Sequence, residues 1–323
     1  MRILIIGGTG SIATYVAAEL NRQGHEITVV TRGHAPVPAE YKQIIADREQ
    51  PREFIEALRQ WQGDVSYDFI CMRPEHAEVI HEALNDRTRQ HFFISTAAVY
   101  DKSSPACLPL VETAPHNRRG WEYALRKSQC EEFFLARCAE GFPVTIIRPS
   151  HTLGLGRMPA PLTGAAYTTA ARIEQGKPII MHDDGQSMWT LTASWDLAKA
   201  AAGLAGNEAA IGEAFHITHD EVLTWNCAVR EIGRAVGHEP KFVYIPSEQI
   251  IEQYPSFSGP LRDDKSRHTV FDNSKIKAFV PDFQCTTSFR QYMQQCIAWY
   301  NENPARKVVD EKSNEIQDQL AAL

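Results

Sequence analysis

Residues 2–13 decide the fold: Arg-Ile-Leu-Ile-Ile-Gly-Gly-Thr-Gly-Ser-Ile-Ala. Ile3-Leu4-Ile5-Ile6 is an apolar run of strand length, and residues 11–22 carry Ile12, Val16, Ala17 and Leu20 on one helical face. Between them Gly7, Gly10 and Ala13 stand at GxxGxxA spacing. Glycines in such a turn let backbone approach a pyrophosphate, and the helix start adds free N–H groups and a positive dipole end. Ala13 lets the helix lie close on the strand. A plain strand–helix turn would read the same way in isolation. Its place directly after a buried strand favours a dinucleotide site, with Gly7, Gly10, Ser11 and Ile12 as candidate contacts.

Outward from this turn, strand-length apolar runs at residues 26–30, 43–46, 67–71, 91–96 and 144–148 alternate with helix-length segments at 51–60, 75–84 and 122–138. Near-continuous apolar strands between helices imply an α/β fold, a doubly wound parallel sheet covered on both faces. The alternation ends near Ser150. Residues 151–161 read as loop, short strands follow at 178–181 and 242–245, and 196–204 with 214–218 read as a helix and strand returning to the sheet. The expected organisation is a dinucleotide-binding Rossmann domain at 1–150 with 188–218 rejoining it. A smaller α+β substrate lobe takes 151–187 and 219–304. The polar residues 305–323 form a tail helix that packs on a neighbour or frays.

Among 323 residues, 33 Lys+Arg face 40 Asp+Glu, a net charge of −7 that argues against a broad basic surface for nucleic acid. Seven scattered cysteines, including Cys107, without a CxxC pair argue against a disulfide framework and a cysteine-rich zinc site. The reading is a reducing cytoplasm. The run Ile3–Ile6 is too short for a signal sequence, and no stretch reaches the ~18–20 apolar residues of a membrane span.

After the second strand comes Thr31-Arg32-Gly33, where a ribose-binding acid is the usual sign of NAD. Arg32 instead suits a 2′-phosphate and leans the reading from NAD to NADP, against the alternative of a surface loop arginine. Asp47 could accept from an adenine amino group, with Arg48 stacked on the ring or in solvent. Cys71 stands near the expected nicotinamide side, more a packing group than a nucleophile.

Tyr123 and Lys127 form YxxxK, one helical turn apart on one face. A phenol near pKa 10 is a poor base at neutral pH, and a nearby ammonium favours its phenolate. Such a tyrosine can exchange a proton with an alcohol or carbonyl oxygen while hydride moves at a nicotinamide. Ser95 and Thr96 close the strand at 91–96, at the edge where open parallel sheets bind ligands.

With these residues in place the chain resembles the extended, atypical short-chain dehydrogenase/reductases, the NAD-dependent epimerase/dehydratase family. The resemblance rests on Gly7/Gly10/Ala13, Thr96 before Val99-Tyr100, Tyr123/Lys127, Arg148-Pro149 and Asp196-Leu197-Ala198. It implies Thr96 as hydroxyl partner, Tyr123 as acid/base and Lys127 as its tuner and a cofactor contact. Ser150 is expected beside the cofactor, Ser95 as a bystander, and a homodimer through the helix carrying Tyr123. A looser likeness is to the subgroup of chloroplast stem-loop-binding proteins and their bacterial relatives. It rests on Thr31-Arg32-Gly33, Leu223-Thr224-Trp225-Asn226, Arg262-Asp263 and residues 272–277.

Family 4,6-dehydratases carry Thr-Asp-Glu where this chain has Thr96-Ala97-Ala98, and alanines exchange no protons, so a dehydratase is not expected. An NAD(P)-dependent epimerase or reductase on a nucleotide-sugar or related hydroxyl or carbonyl compound is. Arg262 is a candidate for a substrate anion, against a salt bridge to Asp263 or Asp264. His151 is a candidate substrate contact, against a polar loop histidine. His182-Asp183-Asp184 reads as a solvated turn and not a metal site. Trp189, Trp225 and Trp299 read as packing. The rival classes are an RNA-binding protein on the same fold and a dinucleotide-sensing regulator. The acidic balance counts against the first, the intact Tyr123/Lys127 pair against the second.

Overall fold

The computed structural model describes residues 1–103, 108–163 and 166–323. Cys107 and parts of the loops 101–120 and 151–190 lie outside the described residues.

Seven strands form one parallel sheet: β1 (Arg2–Ile6), β2 (Glu26–Thr31), β3 (Lys42–Ile45), β4 (Val65–Asp68), β5 (Gln90–Ile94), β6 (Val144–Pro149) and, after four short strands, β11 (Ala214–Ile217). Their order is β11-β6-β5-β4-β1-β2-β3. The order reverses beside β1, and the crevice there is where such sheets bind ligands. The inner strands are buried along nearly their whole length, because helices cover both faces. On one face α1 (Ala13–Arg22) packs against α6 (Ser194–Gly203). On the other, α2 (Pro51–Arg59), α3 (Pro74–Leu84) and α4 (Glu122–Ala139) pack in sequence.

The fourth strand ends earlier than its apolar pattern implies. Pairing with β1 stops at Asp68, and Phe69-Ile70-Cys71 continue as a buried or half-buried cover over the strand ends. An apolar run marks burial, and here part of the burial is in a loop.

The second lobe holds the small strands β7 (His151–Leu153), β8 (Pro178–His182), β9 (Met188–Trp189), β10 (Leu191–Ala193), β12 (Leu223–Thr224) and β13 (Lys241–Ile245). They pair as β10-β7, β12-β9 and β13-β8. Around them lie α5 (Thr168–Glu174), α7 (Trp225–Val236), α8 (Ser247–Gln253), a π-helical segment at Gly259–Lys265 and α10 (Phe289–Glu302), whereas α9 (Ser274–Phe279) packs on β11 with Ile276 in the first lobe's core. Trp189 and Trp225 are buried in this lobe's core with Tyr167 and Tyr292, and Trp299 packs at its margin.

The tail neither frays nor waits for another molecule. Its helix α11 (Glu311–Ala321) lies on α5 and β8 of the same chain. Ser313, Gln317 and Leu320 are buried along one stripe, and Arg172 donates to Asn314 Oδ1 at 2.6 Å and Asp318 Oδ1 at 2.8 Å. Its polar look conceals a buried face because two of the three buried residues are themselves polar.

Candidate active site

A cavity of about 440 Å³ opens at the switch point, lined by Gly7, Thr9, Gly10, Arg32, Asp47, Arg48, Ile70, Met72, Arg73 and His76 among others. Gly7 has φ +81°, and a Cβ there would stand 2.6 Å from Ile70 Cγ2, so only glycine lets the turn lie this close under the strand ends. Gly10 N–H donates to Gly7 O at 3.0 Å, while the amides of Ser11 and Ile12 donate to no backbone carbonyl at the head of α1. A glycine cradle and free amides at a helix start fit a pyrophosphate. Ser11 and Ile12 therefore contribute backbone beside the cavity and not a lining side chain. Arg32 is exposed at the rim and forms no ion pair among the described residues. Asp47 is exposed, its Oδ1 accepting the Glu49 amide at 3.1 Å.

Arg48 is neither in solvent nor free to stack. It is 5% exposed, its Nη2 lies 2.6 Å from Asp68 Oδ2, and its guanidinium covers the Phe54 ring. Among the described residues its buried Nε and Nη1 have no hydrogen-bond partner, and the residue lines the cavity. Cys71 contributes no side chain to the cavity. It is fully buried with Sγ 4.0 Å from that of Cys130, and burial pushes its thiol up, which makes it inert packing.

A second, smaller chamber of about 80 Å³ lies at the ends of β5 and β6. Thr96, Ala97, Ala98, Lys102, Trp121, Tyr123, Ser150, His151, Trp189 and Asp264 line it. Thr96 caps a 3-10 turn by accepting the Ala98 amide at 3.2 Å, and its hydroxyl shares the chamber with the Tyr123 phenol. Ser95 points elsewhere, donating to Glu131. Ser150 Oγ is shielded from solvent and has no hydrogen-bond partner among the described residues. The His151 ring stands edge-on to Trp189 and Trp225, and burial, with Lys265 nearby, pushes it down to about 4. It is a neutral ring at the chamber wall.

Among the described residues Lys127 directs its hydrogen bonds to backbone and none to the phenol. Its Nζ is buried and donates to Cys71 O and Ile94 O, both at 2.7 Å. Burial pushes this ammonium down and the Tyr123 phenol up, and the charge of Asp264 adds to the rise of the phenol. The lysine ties α4 to the strand ends, and the hydroxyl facing the phenol is that of Thr96.

One turn further along the same face, Glu131 accepts Arg148 Nη2 at 2.6 Å and Nε at 3.0 Å. The guanidinium also donates to the Tyr100 hydroxyl at 3.0 Å, Glu112 O at 2.8 Å and His116 Nε2 at 3.0 Å. The partners assign the tautomers. His116 donates through Nδ1 to Ser128, and His216 accepts Tyr100 while donating to Asp272 O. This buried lattice welds α4 to β5 and β6 beneath the chamber.

Arg262 lies outside the chamber, on an adjoining open basin of about 430 Å³ lined by Lys102, Arg118, Arg119, Asp263 and Arg267 as well. It pairs with Glu248, Nε to Oε1 at 2.9 Å, and not with Asp263 or Asp264. Lys102 borders both spaces. His182 is not a solvated turn residue. It is buried at the end of β8, and Asp183 instead accepts the Ser247 amide and hydroxyl. Lys102, Trp121 and Asp264 carry no local motif; Trp121 adjoins Tyr123 along the chain, and Lys102 and Asp264 reach the same chamber from distant segments.

Comparison with known proteins gives three reference points. The chain is 28% identical over 301 residues to the chloroplast stem-loop binding protein of 41 kDa b of Arabidopsis thaliana, covering 87% of this chain and 75% of that one. It is 26% identical over 290 residues to the 2'-dehydrokanamycin reductase of Streptomyces kanamyceticus, covering 88% and 80%. Its fold matches the structure of the UDP-glucose 4-epimerase of Thermus thermophilus in complex with NAD, with a TM-score of 0.75, 17% identity and coverage of 94% and 100%. Among the described residues no helix is long and apolar enough to cross a membrane. The glycine turn, the sheet order and a family model matching residues 3–218 agree: the chain belongs to the NAD dependent epimerase/dehydratase family.

Proposed function

We propose that the protein is an NAD(P)-dependent oxidoreductase or epimerase acting on a hydroxyl or carbonyl compound of the nucleotide-sugar type. The observation that carries this is the meeting of Thr96 and Tyr123 in one chamber on the same edge of the parallel sheet as the cavity headed by Gly7 and Gly10. The free amides at the head of α1 would hold a pyrophosphate, and Arg32 at the rim with the buried donors of Arg48 favours an extra phosphate, hence NADP over NAD. When bound, the nicotinamide supplies or accepts hydride. Tyr123 exchanges the proton with the substrate oxygen, and Thr96 orients that oxygen. Ser150 and His151 line the same chamber and would offer further hydrogen bonds there. The chamber accommodates the reacting head of a substrate, and the cationic basin around Arg262 suits an anionic remainder.

The test is a panel of nucleotide-sugars and keto compounds with NADPH, NADH and their oxidised forms. Wild type turns over at least one member, and Tyr123→Phe lowers kcat about 10²- to 10⁴-fold while nucleotide affinity stays within threefold. Absence of wild-type turnover, or an unimpaired Tyr123→Phe enzyme, would overturn the assignment.

The stem-loop-binding relative favours a second reading, RNA held at the basin of Lys102, Arg118, Arg119, Arg262 and Arg267. Filter binding across a salt series distinguishes it, since tight binding that weakens steeply with salt belongs to this reading alone.

A further inference from the structure

We propose that Asp264, carried in from the second lobe, holds the Tyr123 hydroxyl as a proton donor and so sets the chamber to reduce a carbonyl. The direction of reaction rests on the oxidoreductase reading above. The electrostatic part stands without it.

The segment bearing Asp264 is anchored on both sides. Before it, the Asp263 carboxylate lies against Gly120 at the head of α4, where a negative charge suits the helix dipole. Gly120 has φ +93°, and a Cβ there would stand 2.2 Å from Asp263 Oδ2, so the turn into α4 closes directly on this carboxylate. After it, Lys265 O accepts Ser187 Oγ at 2.7 Å and the indole N–H groups of Trp189 and Trp225, each at 3.2 Å. Lys265 Nζ donates to Ala160 O at 2.7 Å and Leu162 O at 3.1 Å. Asp264 therefore holds its place at the chamber wall with little slack.

Other groups share the chamber or the helix with the phenol, Ser150 and Trp121 among them as neutral ones. Lys127, on the same helix, is committed to two backbone carbonyls. Thr96 is neutral, and His151 is a neutral ring. Lys102 is paired with Asp264 and lies over the Trp189 ring. Burial and the Asp264 charge both favour the neutral phenol, and the Thr96 hydroxyl opposes them.

A carbonyl is reduced when its carbon gains a hydride and its oxygen a proton. The hydride is the reducing pair of electrons of a reduced nicotinamide dinucleotide, and the proton leaves Tyr123 as the C=O π bond becomes C–H and O–H. Solvent then reprotonates the phenolate. Oxidation of the alcohol needs that phenolate at the outset, which the carboxylate disfavours.

Absorbance at 295 nm follows tyrosine ionisation in the full-length protein without substrate or cofactor, and subtraction of the matching Tyr123→Phe trace isolates this phenol. Asp264→Asn lowers its midpoint by about one pH unit, and Asp264→Glu restores it. Lys102→Met, which strips the carboxylate of its counter-charge, moves the midpoint upward. A midpoint shared by wild type, Asp264→Asn and Lys102→Met would overturn the proposal. So would a wild type that oxidises alcohols faster than it reduces the matching carbonyls at pH 7. A shift without turnover of any panel member would leave the electrostatic claim standing and remove the oxidoreductase reading.

Discussion

Replacing Glu131 by Gln removes one charge from the lattice under the chamber while nearly keeping its shape. Arg148 is 4% exposed and Glu131 1%, so neither can recruit water for a lost partner. Breaking a buried pair by neutralising one member costs about 3–5 kcal/mol, mostly because the other charge stays buried. Arg148 keeps three acceptors, on Tyr100, Glu112 and His116, which places Glu131→Gln near the lower end, about 3 kcal/mol. Arg148→Met instead strands the carboxylate with the Ser95 hydroxyl as its remaining close donor, a cost nearer the upper end. The double variant should fall short of the sum by at least about 2 kcal/mol, since it buries no lone charge. Urea unfolding at 25 °C followed by circular dichroism measures all three. A Glu131→Gln cost below about 1 kcal/mol, or additivity within about 0.5 kcal/mol, would refute the reasoning.

Two further outcomes follow from buried groups and the glycine turn. His91 and His216 are fully buried and pushed down to about 4, chiefly by burial, so the folded state takes up fewer protons than the unfolded chain. Their contribution is fully present above pH ~6.5 and lost as pH falls towards 4, up to about 3 kcal/mol each. The urea midpoint should drop across that window, and a flat profile from pH 7 to 4.5 would contradict it. Gly7→Ala should weaken NADPH binding at least about tenfold while the protein stays folded, because the left-handed backbone and the Ile70 contact both resist a methyl group. Nucleotide fluorescence titration reads this, and a dissociation constant within twofold of wild type would count against the turn as a phosphate cradle.

The sheet was legible because its strands are buried on both faces and therefore read as unbroken apolar runs. The glycine turn was legible because close approach leaves no other residue possible at Gly7. What the sequence could not convey was partnership across distance. Lys127 has the right spacing to Tyr123, yet two backbone carbonyls at the strand ends outbid the phenol. His151 was a candidate from its place at the sheet edge, whereas Asp264 comes to the same chamber from a distant segment without a local signal. Arg48 and Asp68 lie twenty residues apart and reveal their pairing only once β4 lies beside β1. The tail misled for a related reason, since a buried glutamine looks like any other glutamine until its partner strand is in view.

Strand β11 joins the sheet beside β6 only after the chain has left to lay down the strands from β7 to β10 and helix α6. The first lobe is thus completed by residues made after part of the second. Scission after Ser150 would not liberate a self-sufficient nucleotide-binding module. It would strip the flank of β6 and uncover the apolar flank of α1 that α6 occupies, leaving an adhesive margin prone to intermolecular strand pairing. The two lobes are stitched by one thread passing through both, and they must mature together.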